Sequence, residues 1–315
     1  MTLILSITDI AAARHVSDRR VTLLGGTVPR VHSPVENKTI IFLCKDAIGV
    51  IGYTGVAYIG SEPTDQWIAN VLAPQPAGPG LGEFAIGGKG LGSAKLQTLV
   101  WRLRNAVANA PLPLRARVLQ IAISGYRIRR RRCLPFGLEL VWNALGPKVS
   151  GLMRQPRSLG QRTIVGQIGD GFVGDELRQH VIAGAEQNRE ENSDALLRGM
   201  VHAVRARAAQ TATVGGDVMT VLVPNPRLSR KVVWKFEPEA DHPAVIEGRN
   251  FRRMFSAVYS PWIICPDQVS CPMVATGGLE MQSCGWSFAC GNEDARIPDS
   301  GIIFASSHHH RTRRP

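Results

Sequence analysis

Apolar and polar positions alternate at the head of the chain and recur at three and four residues further in. The segment MTLILSITDIAAA (1–13) is rich in aliphatic and β-branched residues and alternates loosely, which predicts a strand. RRVTLLGGTV (19–28) reads as a second strand broken by a glycine pair, and HSPVENK (32–38) as a loop. KTIIFLCKDAIGVIGYTG (38–55) reads as two short strands joined by a turn at Lys45-Asp46. Trp67, Ile68 and Val71 then recur at helical spacing behind Thr64, which predicts a helix capped by that threonine. A second amphipathic helix fills 93–110 and stops at Pro111.

The same two periods repeat. Strands are predicted over 116–132, 134–142 and 161–172, then helices over 174–188 and 193–211 with Asp175 and Ser193 as caps, then a strand in GGDVMTVLVPNP (215–226). Strands grouped apart from helices imply layered sheets with helices outside them, an α+β class rather than alternating βαβ units. After residue 224 the texture changes: short apolar runs mix with Pro, Gly and Cys, as in SPWIICPDQVSCPMVATGG (260–278). Three regions are therefore expected: a main domain over 1–224, a β-rich extension or small subdomain over 225–305, and a disordered basic tail over 306–315.

A length of 315 residues allows one large domain or two modest ones. The net charge of +12 admits nucleic acid or an acidic surface as a partner but says nothing of fold. Cys265, Cys271, Cys284 and Cys290 are spaced too widely for the paired ligands of structural zinc, so no metal is expected, and without an export signal disulfides are not expected either. No apolar run reaches the roughly 18 residues of a membrane span, so the expectation is a cytoplasmic protein without membrane contact. The glycine-rich stretch 73–92 fails the phosphate-loop pattern, because Lys89 is followed by Gly90 and residue 83 is Glu83, not glycine; no cofactor is expected. The densest charge run is Arg127–Arg132 within YRIRRRR. It could contact phosphates, but few aromatics interleave with it. A solvated strand end, or a contact with acids such as those of EQNREENSDA (186–195), is the favoured reading, and nucleic acid is disfavoured.

One constellation carries chemistry. Thr2 is followed sixteen residues later by Asp18, inside SDRRVT with Arg20 and Thr22. Lys38 opens the paired strands, and Gly52-Tyr53-Thr54-Gly55 closes them. In this register the chain up to residue 224 resembles the proteasome family of N-terminal nucleophile hydrolases, which includes proteasome β subunits, HslV and bacterial proteasome-like proteins. The resemblance implies a four-layer αββα sandwich. It implies Thr2 as nucleophile and, once Met1 is removed, its own α-amine as base. It further implies Lys38 as the charge that tunes both groups, Asp18 as the carboxylate that orients Lys38, Arg20 as support, and the Gly52 N–H as oxyanion donor. Asp170 stands in GDG where active members carry a serine, and Thr211 and Val214 fall where the family has its second Asp and Ser, so the resemblance leaves Asp170 or Thr211 as the substitute supporting group, a role Val214 cannot fill. The implied partners are a peptide or amide substrate, other copies of the chain in a homo-oligomeric ring, and an unfoldase. The alternatives are a non-catalytic assembly or binding protein on the same fold, and an arginine-mediated nucleic-acid binder.

Overall fold

The computed structural model describes residues 2–23, 30–33, 36–73, 86–87, 89–110, 118–130, 132–143, 146–148, 163–173, 175–187, 194–237, 239, 245–246, 249–250, 257–270, 272–276, 280–291 and 304–306. The expected basic tail, Cys271, Arg131 and Ser193 lie outside them.

The first thirteen residues hold more than one strand. Leu3–Thr8 and Ala12–Asp18 form a hairpin, with Ser6 opposite His15. The break comes at Asp9, whose Oδ1 accepts the N–H groups of Ala11 (2.7 Å) and Ala12 (2.9 Å). A short polar side chain that bonds the backbone two and three residues on makes such a turn. Periodicity missed the second strand because its alternation is hidden: Arg14, His15, Ser17 and Asp18 are all buried. The expected strand over 19–28 is represented by the short Val21–Leu23, paired with Arg30–Ser33; residues 24–29 lie outside the described set.

Two large sheets organise the described chain. The first runs, edge to edge, Ile164–Gly169, Leu3–Thr8, Ala12–Asp18, Val218–Pro224, Lys231–Glu237, Trp286–Cys290 and Glu280–Ser283. The second runs Gly146–Lys148, Arg132–Asn143, Val118–Arg129, Ala47–Thr54, Thr39–Cys44, Trp262–Ile264, Val269–Ser270 and Ile86–Gly87. Neighbours pair antiparallel except at two places, Lys231–Glu237 against Trp286–Cys290 and Thr39–Cys44 against Trp262–Ile264, which are parallel. Both exceptions involve strands beyond residue 224, and each adds to a sheet begun by the N-terminal region.

Four helices complete the described chain: α1 (Thr64–Leu72), α2 (Leu96–Ala108), α3 (Glu176–Gln187) and α4 (Ala195–Gln210). One buried cluster joins Leu3, Leu5, Val16 and Val218 of the first sheet to Val181 of α3 and to Met200, Val201 and Val204 of α4. A larger cluster joins Met219, Val221 and Trp234 of the first sheet to Ile40, Phe42, Ile48 and Ile51 of the second, and to Ile68 of α1 and Leu99 and Leu103 of α2. Residues adjacent along Val218–Pro224 thus bury opposite faces, as the two-residue period of a strand requires. The described residues form a mixed α/β structure of sheets and helices.

Two caps differ from expectation. Thr64 does not cap α1; its Oγ1 donates to the Val56 carbonyl (2.7 Å) and Pro63 occupies the cap. Asp194, not Ser193, caps α4 by accepting the Leu197 N–H at 3.0 Å. Asp194 also receives Arg14 Nε (2.8 Å), while Arg14 Nη1 reaches Asp9 (2.8 Å), so the buried guanidinium ties the first hairpin to α4.

Candidate active site

The N-terminal residues of Leu3–Thr8, the last residue of Ala12–Asp18 and the residue before Thr39–Cys44 converge at one end of the sheets. Lys38 Nζ donates to Thr2 Oγ1 at 2.6 Å. It also lies 3.3 and 3.4 Å from the two Asp18 oxygens and donates to the Arg20 carbonyl. The three protons of an ammonium are therefore all directed. Lys38 is 3% exposed, Asp18 0% and Thr2 6%.

Asp18 is ringed by donors. Oδ1 accepts the Leu3 N–H (3.0 Å); Oδ2 accepts the N–H groups of Gly215 (3.0 Å) and Arg20 (3.2 Å). Burial pushes the Asp18 carboxyl up, opposed by Lys38 and by the Gly215 and Leu3 amides. Burial likewise pushes Lys38 down, opposed by Asp18. Each is the main charge that offsets the other's burial.

Arg20 donates through Nη1 to the Val214 (2.9 Å) and Ala212 (3.3 Å) carbonyls, so it holds the segment that brings Gly215 to Asp18. Val214, which has no polar side chain, sits in the apolar cluster under α4 and acts on Arg20 only through its carbonyl. Asp170 donates its backbone N–H to the Thr2 carbonyl at 2.8 Å. Its carboxylate is held by Thr213 Oγ1 (2.6 Å), Arg207 Nη2 (2.7 Å) and Thr211 Oγ1 (3.2 Å). Burial works to raise the Asp170 pKa, but the Thr213, Arg207 and Thr211 bonds outweigh it and leave it lowered.

Gly52 stands apart from this cluster. It is in the interior of Ala47–Thr54, opposite Thr39 on one side and Ala122 on the other. A Cβ there would lie 2.6 Å from His15 Cε1 and 3.0 Å from Ile4, so glycine makes room for packing between the sheets. The end of the same strand reaches the site: the Thr2 N–H donates to Thr54 Oγ1 at 3.3 Å, and Gly55, exposed and at φ +101°, follows. Thr54, Gly169, Thr213 and Arg207 are site residues that sequence reasoning missed. Gly169 carried the strongest available signal, a glycine at a strand end: it takes φ +90°, and a Cβ would meet the Thr2 carbonyl oxygen at 1.7 Å.

A buried polar chain lies behind the site. His15 Nδ1 is 3.3 Å from Ser6 Oγ and Nε2 3.3 Å from Thr39 Oγ1, which meets Ser17 Oγ at 2.8 Å. Burial pushes His15 down to about 3, so it is neutral at physiological pH.

Among the described residues no group of three or more His, Cys, Asp or Glu could hold a metal ion, and no helix is long and apolar enough to cross a membrane. Of the arginine cluster, Arg129, Arg130 and Arg132 are exposed at the tip of the Val118–Arg129 and Arg132–Asn143 hairpin, and Arg127 pairs with Asp46 at 3.5 Å.

No family model matches the chain, and no curated protein matches it. Among solved structures it is similar to the eukaryotic HslV from Trypanosoma brucei, with 15% identity and a TM-score of 0.37 over 70% of this chain and 99% of that one.

Proposed function

We propose that the protein is a threonine-nucleophile amide hydrolase, a peptidase, built on the four-layer αββα sandwich of the N-terminal nucleophile hydrolases. The observation that carries this is the 2.6 Å contact from the buried Lys38 ammonium to Thr2 Oγ1, with Asp18 held behind it by three backbone N–H groups. A threonine hydroxyl next to a desolvated cation loses its proton more easily, because the alkoxide is favoured there. Lys38 has its protons committed to Thr2, Asp18 and Arg20, so the proton leaving Oγ needs another acceptor. Cleavage of the Met1–Thr2 bond supplies one. It converts a non-basic amide nitrogen into an amine with an ordinary pKa of about 8, on the same residue as the hydroxyl.

The sequence of steps then balances. The Thr2 amine takes the Oγ proton as Oγ attacks a substrate carbonyl, and returns it to the leaving amine. An acyl ester on Thr2 remains, and water activated by the same amine releases it. Thr54 Oγ1, 3.3 Å from Thr2 N, is placed to orient the amine. Gly55, exposed just beyond Thr54, is better positioned than Gly52 to turn an amide toward the oxyanion. Asp170, with its carboxylate engaged by Arg207 and two threonines, acts through its backbone on Thr2. A peptide or amide substrate, assembly into a homo-oligomeric ring and service to an unfoldase belong to the same proposal.

Intact mass of the native protein, with and without a peptide epoxyketone, tests it. The expected result is loss of Met1 and one adduct on Thr2, absent in Thr2→Ala and much reduced in Lys38→Ala. Retention of Met1 with no adduct would overturn hydrolysis and leave a non-catalytic assembly or binding protein.

A further inference from the structure

Lys38 reaches Thr2 from the residue after Asn37, and Asn37 is held through its side-chain oxygen, its side-chain nitrogen and its carbonyl. Its Oδ1 accepts the Thr39 N–H (3.3 Å), bridging over Lys38. Its carbonyl accepts the Tyr53 hydroxyl (2.9 Å), and its Nδ2 donates to Asp65 Oδ2 (3.3 Å). The same Asp65 oxygen accepts the indole N–H of Trp262 at 3.1 Å. Asn37, Tyr53, Asp65 and Trp262 are all buried, Trp262 completely. Trp262 comes from the segment beyond residue 224 and opens the strand that pairs in parallel with Thr39–Cys44, with Trp262 opposite Ile40.

We infer that Trp262 positions Lys38 through the chain Trp262–Asp65–Asn37, so that a residue of the C-terminal segment sets the geometry of the nucleophile's lysine. The indole N–H and the Asn37 amide converge on one oxygen and fix its rotamer. Asp65 then fixes Asn37, and the bridge from Asn37 to Thr39 clamps the peptide units on both sides of Lys38. Lys38 is a long side chain with many rotamers, and its Nζ must stay within hydrogen-bond reach of Thr2 Oγ1. A clamp at its backbone removes the largest lever arm for misplacement, and misplacement by about 1 Å can cost about a hundredfold in rate. The catalytic meaning rests on the threonine-nucleophile reading above; the geometry does not.

The test is Trp262→Phe, which keeps an aromatic ring and the strand pairing but removes the N–H together with the rest of the five-membered ring, so every rate is read per folded molecule. Thr2 labelling by a peptide epoxyketone, measured per folded molecule from neutral to alkaline pH, should slow about tenfold or more with a shifted pH midpoint. Asp65→Ala should do the same, and the two changes together should cost no more than either alone. Asp65→Asn, which keeps an oxygen for both donors, should stay near the wild-type rate. A second readout needs no activity: the side-chain nitrogen NMR signal of Lys38, assigned by its loss in Lys38→Arg, should move in Trp262→Phe. If the wild type takes no label, the hydrolase reading falls and the Lys38 signal alone decides. An unmoved Lys38 signal in Trp262→Phe, or labelling that falls only in proportion to the folded fraction, would overturn the inference.

Discussion

Replacing Asp18 by asparagine is the sharpest perturbation of this site. The carboxylate accepts from Leu3, Gly215 and Arg20 backbone N–H groups and faces Lys38 with both oxygens. An asparagine keeps one oxygen, and whichever way it turns, its NH₂ confronts at least one buried donor. Removing one partner of a buried pair costs about 3–5 kcal/mol, and each donor left unpaired about 1–3 kcal/mol. Local relaxation and loss of the Lys38 proton limit the sum, so about 4 kcal/mol near neutral pH is expected. With a urea m-value of about 2–3 kcal/mol/M, the midpoint should fall by about 1–2 M.

The pH dependence has a definite sign. Burial already lowers Lys38 in the wild type, and loss of Asp18 removes its main upward influence. Between the folded and ordinary lysine values the unfolded chain binds the proton and the folded one does not, so the variant gains stability as pH rises through that window. The gap to wild type should narrow in alkaline urea titrations, and Asp18→Asn with Lys38→Met should be more stable than Asp18→Asn alone. A midpoint within about 0.3 M of wild type, or a double variant less stable than the single, would refute the reasoning.

Three further outcomes are expected. His15, pushed down to about 3 by burial, binds its proton in the unfolded chain but not in the folded one below the ordinary histidine value. Stability should therefore fall with pH by roughly 2 kcal/mol on reaching about pH 5, and His15→Gln should lessen that slope in urea titrations. Gly169→Ala puts a Cβ 1.7 Å from the Thr2 carbonyl oxygen at φ +90°, so it should destabilise by about 2 kcal/mol or more and slow Thr2 labelling beyond the loss of folded protein. Thr213→Val removes the 2.6 Å bond to Asp170, whose pKa, lowered in the wild type, should rise in an NMR titration while Arg207 still holds the other oxygen.

The contact of Thr2, Asp18 and Lys38 was legible because their spacing along the chain is a register, and sheets convert register into proximity. Gly52 was misplaced for the same reason. Spacing from Lys38 cannot tell a strand interior from its end, and the strand runs on to Thr54 before it meets Thr2. Arg207 near the end of α4 and Thr213 in the connection after it reach Asp170 across 37 and 43 positions, and Gly215 reaches Asp18 across 197, paths that no local pattern encodes. The first hairpin escaped because its second strand buries polar residues on both faces, and Asp194 escaped as a cap because a serine precedes it. The buried Arg14 bridging Asp9 and Asp194 is a third-dimension feature of the same kind.

The two parallel pairings carry a consequence for the order of assembly. Trp262 meets Ile40 only after the more than two hundred residues between them exist, and Trp286–Cys290 meets Lys231–Glu237 later still. Contacts so remote in sequence form late, because the loop between them must close first. A nascent polypeptide therefore holds Lys38 beside a sheet edge that waits for its neighbour until residues 262–264 have been made.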